Sequence, residues 1–173
     1  ASGTPDSPNE GDTYTLQIAA TDPGDDVITQ WVINWGDGAI ERFDGIERIF
    51  SHTYVDDGRY TINALASDDS GQYPVTHSVT VNNVLPFVDI LNAPDVTEGA
   101  EFVLFGQITD PGTADDFVVK ITWGDGLEET INLAAGFCPT GVVCSPGRPI
   151  FAIAHRYLDD TESGTEYEIL IRV

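Results

Sequence analysis

The sequence predicts an all-β chain of two tandem β-sandwich domains, on three observations. Apolar side chains alternate along short segments, as in Tyr14, Leu16 and Ile18, with the period of a half-buried strand. Turn residues separate these segments, and no stretch shows an apolar stripe at helical spacing. The second half of the chain then repeats landmarks of the first half. A strand pattern that occurs twice predicts two domains of one fold.

The internal repeat consists of four landmarks in a fixed order: Glu-Gly, Thr-Asp-Pro-Gly, Trp-Gly-Asp-Gly and His-x-Tyr. Their positions in the two copies are 10–11 and 98–99, 21–24 and 109–112, 35–38 and 123–126, and 52–54 and 155–157. The first three recur after 88 residues and the last after 103, so the second copy has fifteen extra residues before its His-x-Tyr landmark. We place the domains at residues 1–84 and 85–173, with Leu85 and Pro86 making a short, stiff connection.

Two features of the first copy predict an immunoglobulin-like sandwich. The Trp-Gly-Asp-Gly motif suits the end of a strand entering a tight hairpin, because Asp-Gly supplies the positive φ values of such turns. Tyr60, shortly after Asp56 and Asp57, has the spacing of a tyrosine corner, in which a tyrosine bonds back to the preceding turn. Together with Trp35 on the third strand, these features indicate the immunoglobulin type. The lack of an inter-sheet cysteine pair argues against an antibody-type domain.

The second copy is predicted to lack its last strand. The segment from Tyr167 to Val173 corresponds to the sixth strand, and nothing after it matches the run from Pro74 to Val81 in the first copy. Trp31 has no counterpart in the second copy; strand alternation places it on the same face as Trp35, in the core. An exposed Trp31, with Tyr14 or Tyr73 nearby, would instead offer a platform for sugar stacking.

Composition excludes several partners. Twenty-nine Asp and Glu against seven Lys and Arg give a formal net charge of −22, which repels nucleic acid and anionic membranes. The acidic residues cluster beside Gly and Pro, a distribution that suits turns and calcium ligation. A salt-adapted proteome would explain the same acidity. No apolar run approaches the length of a membrane span.

The landmarks resemble those of the PKD (polycystic-kidney-disease-type) domain, a repeat of microbial surface proteins and secreted enzymes. Trp-Gly-Asp-Gly followed by His-x-Tyr carries the resemblance in both copies, and Asp68, Asp69 and Gly71 match a turn of the family in the first copy. The resemblance implies a sandwich of about seven strands that serves as a spacer, an adhesive module or a binding accessory. It does not imply catalysis, and some members of the family bind calcium through the corresponding loops.

We therefore expect calcium to bind acidic loops that an immunoglobulin-like sandwich brings to one end of each domain. In the first domain the candidate ligands are Glu10, Asp22, Asp25, Asp26, Asp68 and Asp69. In the second domain they are Glu98, Asp110, Asp115 and Asp116. The alternative is that these carboxylates are solvated turn residues that accept hydrogen bonds from backbone N–H groups. No EF-hand loop is present.

The two cysteines, Cys138 and Cys144, lie in the extra segment of the second copy, with no histidine or further cysteine at zinc-site spacing. They predict a local disulfide and hence an oxidising compartment, the alternative being two free thiols.

No catalytic motif is present: the serines lack a Gly-x-Ser-x-Gly setting, and no glycine-rich phosphate loop occurs. His52 and His155 recur at one place in both copies, which indicates a hydrogen bond that braces a turn. The sequence thus predicts a non-catalytic, calcium-stabilised spacer or assembly unit of a large secreted or cell-surface microbial protein. Its partners would be neighbouring domains of that protein, other copies, cell-surface proteins or polysaccharide. The alternatives are a substrate-binding accessory of a secreted hydrolase and an array-forming surface-layer protein.

Overall fold

The computed structural model describes residues 1–19, 27–92, 95–138, 147–159 and 166–173. Every regular element in these ranges is a β-strand, as predicted, and paired strands are antiparallel. The chain divides into two compact units, Ala1–Val84 and Leu85–Val173. Within the described ranges we find no helix of the length and apolarity that a membrane span needs.

In its described residues, the first domain contains seven strands in two sheets. They are β1 (Ser2–Thr4), β2 (Thr13–Gln17), β3 (Gln30–Asn34), β4 (Ile40–Asp44), β5 (Ile49–Thr53), β6 (Gly58–Ser67) and β7 (Gln72–Val81). One sheet has the order β1-β2-β5 and the other the order β4-β3-β6-β7. This is the predicted immunoglobulin-like sandwich.

The core of the first domain lies between these sheets. Leu16 and Phe50 come from the three-stranded sheet, and Ile33 and Ile62 come from the four-stranded one. Trp31 bridges them, since its ring meets that of Phe50 edge-on at 5.8 Å between centroids. Burying each such side chain contributes about 1.5–3 kcal/mol. Trp31 is therefore core, as alternation predicted, and is not a platform for ligands.

The second domain contains six strands in its described residues: β8 (Phe87–Ile90), β9 (Glu101–Thr109), β10 (Phe117–Thr122), β11 (Glu128–Leu133), β12 (Ile150–Arg156) and β13 (Leu170–Arg172). Its sheets have the orders β12-β9-β8 and β11-β10-β13, which match β5-β2-β1 and β4-β3-β6. Within the ranges given above, β13 pairs only with β10, and no strand takes the place of β7. β13 is therefore the last strand among the described residues, as the comparison of the two copies predicted.

The Trp-Gly-Asp-Gly motif turns the chain from β3 into β4, as predicted. Gly36 and Gly38 have φ values of +91° and +101°, and Trp35 N donates to Ala39 O at 3.0 Å. The expectation that the Asp-Gly pair supplies the positive φ values is wrong for the aspartate, because only glycines among the described residues have a positive φ. Asp37 serves the turn in another way, through its carboxylate.

Candidate functional site

The most conspicuous polar cluster in the first domain is built from the two repeated motifs. Asp37 Oδ1 accepts a hydrogen bond from Ala39 N at 2.9 Å, which closes the turn after β3. Its Oδ2 lies 2.7 Å from His52 Nε2 on β5. The His52 ring also stacks on Trp35, with centroids 4.7 Å apart and planes 7° apart. The cluster therefore joins a turn of one sheet to a strand of the other.

The second domain builds the same cluster from the same residue types. His155 Nε2 lies 3.0 Å from Asp125 Oδ2, and the His155 ring stacks on Trp123 at 4.1 Å and 5°. Asp125 Oδ1 accepts from Leu127 N at 3.0 Å. The two domains thus form the same hydrogen bonds from the same motif. This geometry supports the bracing role expected for the histidines.

Tyrosines extend each cluster into the backbone. Tyr54 Oη donates to Trp35 O at 3.0 Å, and Tyr157 Oη donates to Trp123 O at 2.9 Å. The predicted tyrosine corner is present, since Tyr60 Oη donates to Asp56 O at 2.9 Å. In the second domain, Tyr167 Oη donates to Asp159 O at 3.1 Å. The polar side chains of both motifs are thus directed into the domain itself.

The electrostatics of the first cluster follow from these bonds. Burial by itself raises the pKa of Asp37, but the hydrogen bonds from Ala39 N and His52 together bring its pKa below the ordinary value. Asp37 is therefore ionised at neutral pH, and its bond to His52 is charge-assisted.

Removing either histidine tests the bracing role. We expect His52→Ala and His155→Ala each to lower the free energy of unfolding by about 1–3 kcal/mol, because the Asp37 or Asp125 carboxylate loses a charge-assisted bond and the tryptophan loses the ring stacked on it. Chemical denaturation followed by circular dichroism measures the change. His77→Ala is the matched control, because His77 on β7 is half-buried and lies outside both clusters; it should cost less than about 1 kcal/mol. Equal losses for all three variants would contradict a bracing role.

The candidate calcium ligands of the first domain do not form one group. Asp22, Asp25 and Asp26 lie outside the described residues. Asp68 holds its own turn, since its Oδ1 accepts from Ser70 N and Gly71 N, both at 2.7 Å, and Asp69 is exposed. These bonds are the ones expected of a turn-forming aspartate.

Glu10 was grouped with these loops, and that grouping is wrong. Glu10 N donates to Asn82 O at 3.0 Å, and Glu10 Oε1 accepts from Val84 N at 2.7 Å. Asn82 follows the end of β7 that pairs with Gly58, whereas Asp68 follows the far end of β6. Ten residues of strand span roughly 30 Å, so Glu10 and Asp68 lie at opposite ends of the sandwich.

At its own end of the domain, Glu10 has acidic neighbours that the sequence reasoning did not select as ligands. Carboxylate oxygens of Glu10, Asp56 and Asp57 all lie within 4.8 Å of one another. Glu10 is 1 % exposed. The signal available in the sequence was the Asp-Asp pair after the His-x-Tyr landmark, which recurs at Asp159 and Asp160 in the second copy.

The second domain repeats this separation. Gly99 N donates to Tyr157 O at 2.8 Å, which places the exposed Glu98 beside the turn that follows β12. Asp110 follows the other end of β9, where its N donates to Gly147 O at 2.8 Å. Grouping Glu98 with Asp110, Asp115 and Asp116 was therefore also wrong.

Asp110 is the buried carboxylate of this second group. Its Oδ1 accepts from Gly112 N at 2.6 Å, and its Oδ2 has no hydrogen-bond partner among the residues described. Burial raises the pKa of Asp110, and the Gly112 hydrogen bond opposes that shift. An oxygen of Asp115 lies within 4.8 Å of an oxygen of Asp110, whereas Asp116 Oδ1 accepts from Ala135 N at 2.6 Å. Asp110 and Asp115 thus remain together as candidate ligands.

The predicted disulfide involves Cys144, which lies outside the described residues. A bond between Cys138 and Cys144 stays a prediction.

Comparison with known proteins shows which family the first domain is similar to. A family model described as PKD domain matches residues 1–82. No curated protein matches the chain significantly. A solved structure of carbohydrate-binding modules from the β-sandwich superfamily has 11 % sequence identity to this chain and a TM-score of 0.43. The match covers 98 % of this chain and 92 % of the compared chain. Fibronectin(III)-like modules from Clostridium thermocellum are 17 % identical, covering 90 % and 85 %, with a TM-score of 0.37.

Proposed function

Residues 1–82 match the family model of the PKD domain, and from that premise we propose that this chain is a non-catalytic spacer or assembly unit of a large secreted or cell-surface microbial protein. Calcium would be its stabilising ion. The second domain carries the same two motifs with the same bonds, so the premise extends to the repeat as a whole. The partners would be neighbouring domains of the same protein.

The internal use of the motif side chains carries this proposal. A general acid or base needs a ring nitrogen or carboxylate within hydrogen-bond reach of a substrate. In both domains the histidine Nε2 bonds to an aspartate, and its ring stacks on a tryptophan. Groups committed to the fold in each copy suit a module whose task is to hold a shape.

Calcium fits the donor set that the structure brings together in the second domain. Calcium takes six to eight oxygen ligands, with carboxylates foremost. Asp110 Oδ2 is a buried oxygen without a hydrogen-bond partner among the described residues, and Asp115 supplies a second carboxylate nearby. A cation would offset the cost of burying the Asp110 charge. We therefore propose Asp110 and Asp115 as ligands there, and Glu10, Asp56 and Asp57 in the first domain.

Calorimetry of the chelated chain, repeated with added calcium, tests the metal. At free calcium ten times its dissociation constant, binding adds about 1.4 kcal/mol to the stability of the domain that holds it. For domains of this size, that raises the melting temperature by about 6–11 °C. We expect Asp110→Asn and Asp115→Asn each to remove the rise for the second domain.

Asp95→Asn is the matched control, because it removes one exposed carboxylate of the same domain away from Asp110. It should leave the calcium response intact. An unchanged melting profile for the wild-type chain would overturn the metal proposal, as would a full response from Asp110→Asn.

A further inference from the structure

One sheet face of the second domain is apolar and open. Along β9, Leu104 and Ile108 point into the core, so Val103 and Phe105 point outward, and they are 38 % and 37 % exposed. In the register of the sheet, Phe105 lies opposite Ala152 of β12, and Val103 lies opposite Ala154. On the other side, Leu91 N donates to Phe105 O, and Leu91 is 52 % exposed. We call Leu91, Val103, Phe105, Ala152 and Ala154 the apolar face.

The first domain is an internal reference for this face. By the spacing of the repeat, Thr15 and Gln17 of β2 take the places of Val103 and Phe105. Thr15 lies opposite Ser51 of β5 and Thr4 of β1, whereas Gln17 lies opposite Ile49, which is 58 % exposed, so the same region there is polar apart from Ile49. The fold alone therefore does not require apolar residues on this face. Because the two copies share one fold, this difference between them makes the face a candidate binding surface.

The size of the face argues against a second copy of the chain as its occupant. Three strands and four or five residues along each give an area of roughly 200 Å². A stable protein–protein interface needs about 800 Å² from each partner. The formal charge of −22 adds repulsion between copies. A narrow ligand fits these limits better than a folded partner.

The chemistry of the face selects among narrow ligands. A peptide docks on a sheet through backbone hydrogen bonds at its edge, whereas this surface offers side chains only. A sugar ring presents an apolar C–H face, which suits a flat surface around one aromatic ring, Phe105. Polar side chains stand at both ends of the face for sugar hydroxyls, Asp89 with Gln107 at one end and Glu101 with Arg156 at the other.

We propose that the apolar face binds a neutral, flat polysaccharide chain of the cellulose or chitin kind, with sugar rings stacked over Phe105. The acidity of the chain excludes anionic polysaccharides. This binding role goes beyond a spacer and does not depend on calcium.

Retention of the full chain on microcrystalline cellulose and on chitin, with chelator and with calcium, tests the proposal. We expect wild-type retention on at least one solid in both conditions. The double variant Val103→Thr, Phe105→Gln carries the first domain's own residues at these places and should bind at least tenfold less. Leu91→Ser is a second variant, in case the double variant melts early.

Ile46→Ser is the matched control, because Ile46 is 80 % exposed in the first domain and lies outside the apolar face. Its retention should equal that of the wild type. No wild-type retention on either solid would overturn the proposal, and so would equal loss in Ile46→Ser. Analytical sedimentation supplies a further criterion. If the wild-type chain formed a dimer and the double variant did not, the apolar face would bind a second copy of the chain, and the polysaccharide proposal would be wrong.

Discussion

Replacing Trp123 with alanine is expected to lower the stability of the second domain by about 3–5 kcal/mol. Trp123 is fully buried, stacks on His155 and meets Phe102 edge-on at 5.9 Å. Alanine would leave a cavity at the point where the turn after β10 is joined to β12. The free energy of unfolding of a domain is only about 5–15 kcal/mol in total, so this loss removes a large share of it.

Trp35→Ala should have the same effect on the first domain, with the added loss of the bond from Trp35 Nε1 to Glu41 Oε2 at 2.9 Å. Each domain has its own core, so calorimetry should show one lowered transition in each variant. Leu127→Ala is the control for the second domain, because Leu127 lies in the turn that begins at Trp123 and is 57 % exposed. It should change the free energy of unfolding by less than about 0.5 kcal/mol. If either tryptophan variant lowered both transitions equally, the two cores would not be independent.

The fold was predictable because its signals are local. Alternation in Tyr14, Leu16 and Ile18 fixes which side chains enter the core, and all three are buried. The spacing from Asp56 to Tyr60 was enough to predict a bond that closes within five residues. That no described residue after β13 forms a counterpart of β7 followed from comparing the two copies.

The candidate site was less predictable, because its geometry depends on pairing between distant residues. Whether Glu10 belongs with Asp56 or with Asp68 is decided by a bridge between Asn9 and Asn82. Nothing near Glu10 in the sequence encodes that contact. Turn composition therefore pointed to acidic loops but assigned Glu10 to the wrong end of the sandwich.

The apolar face was only partly predictable from the sequence. Aligning the copies 88 residues apart places Val103 over Thr15 and Phe105 over Gln17, and this difference was visible in the sequence. The contribution of Leu91 was not visible, because no landmark of the repeat fixes the register of β8 against β9. The pairing of Ile90 with Gly106 brings Leu91 beside Phe105.

The second large effect is expected from the first glycine of the repeated turn. A Cβ at Gly36 would lie 2.7 Å from Thr61 O and 3.0 Å from Thr61 N, both backbone atoms of β6. Gly36 also has a φ of +91°, which an L-residue adopts at a cost of about 1–3 kcal/mol. We expect Gly36→Ala to destabilise the first domain by about 3 kcal/mol in chemical denaturation, since β6 must shift as well.

Gly38→Ala separates the two causes. Gly38 has a φ of +101°, but a Cβ there would have no atom within 4 Å, so only the backbone strain of about 1–2 kcal/mol applies. The second domain offers the same pair, since a Cβ at Gly124 would lie 2.8 Å from Glu168 O and Gly126 is open. In both domains the first glycine should therefore be the costlier to replace. Equal losses at the two glycines would mean that backbone conformation alone, and not close packing against the neighbouring strand, requires glycine in this turn.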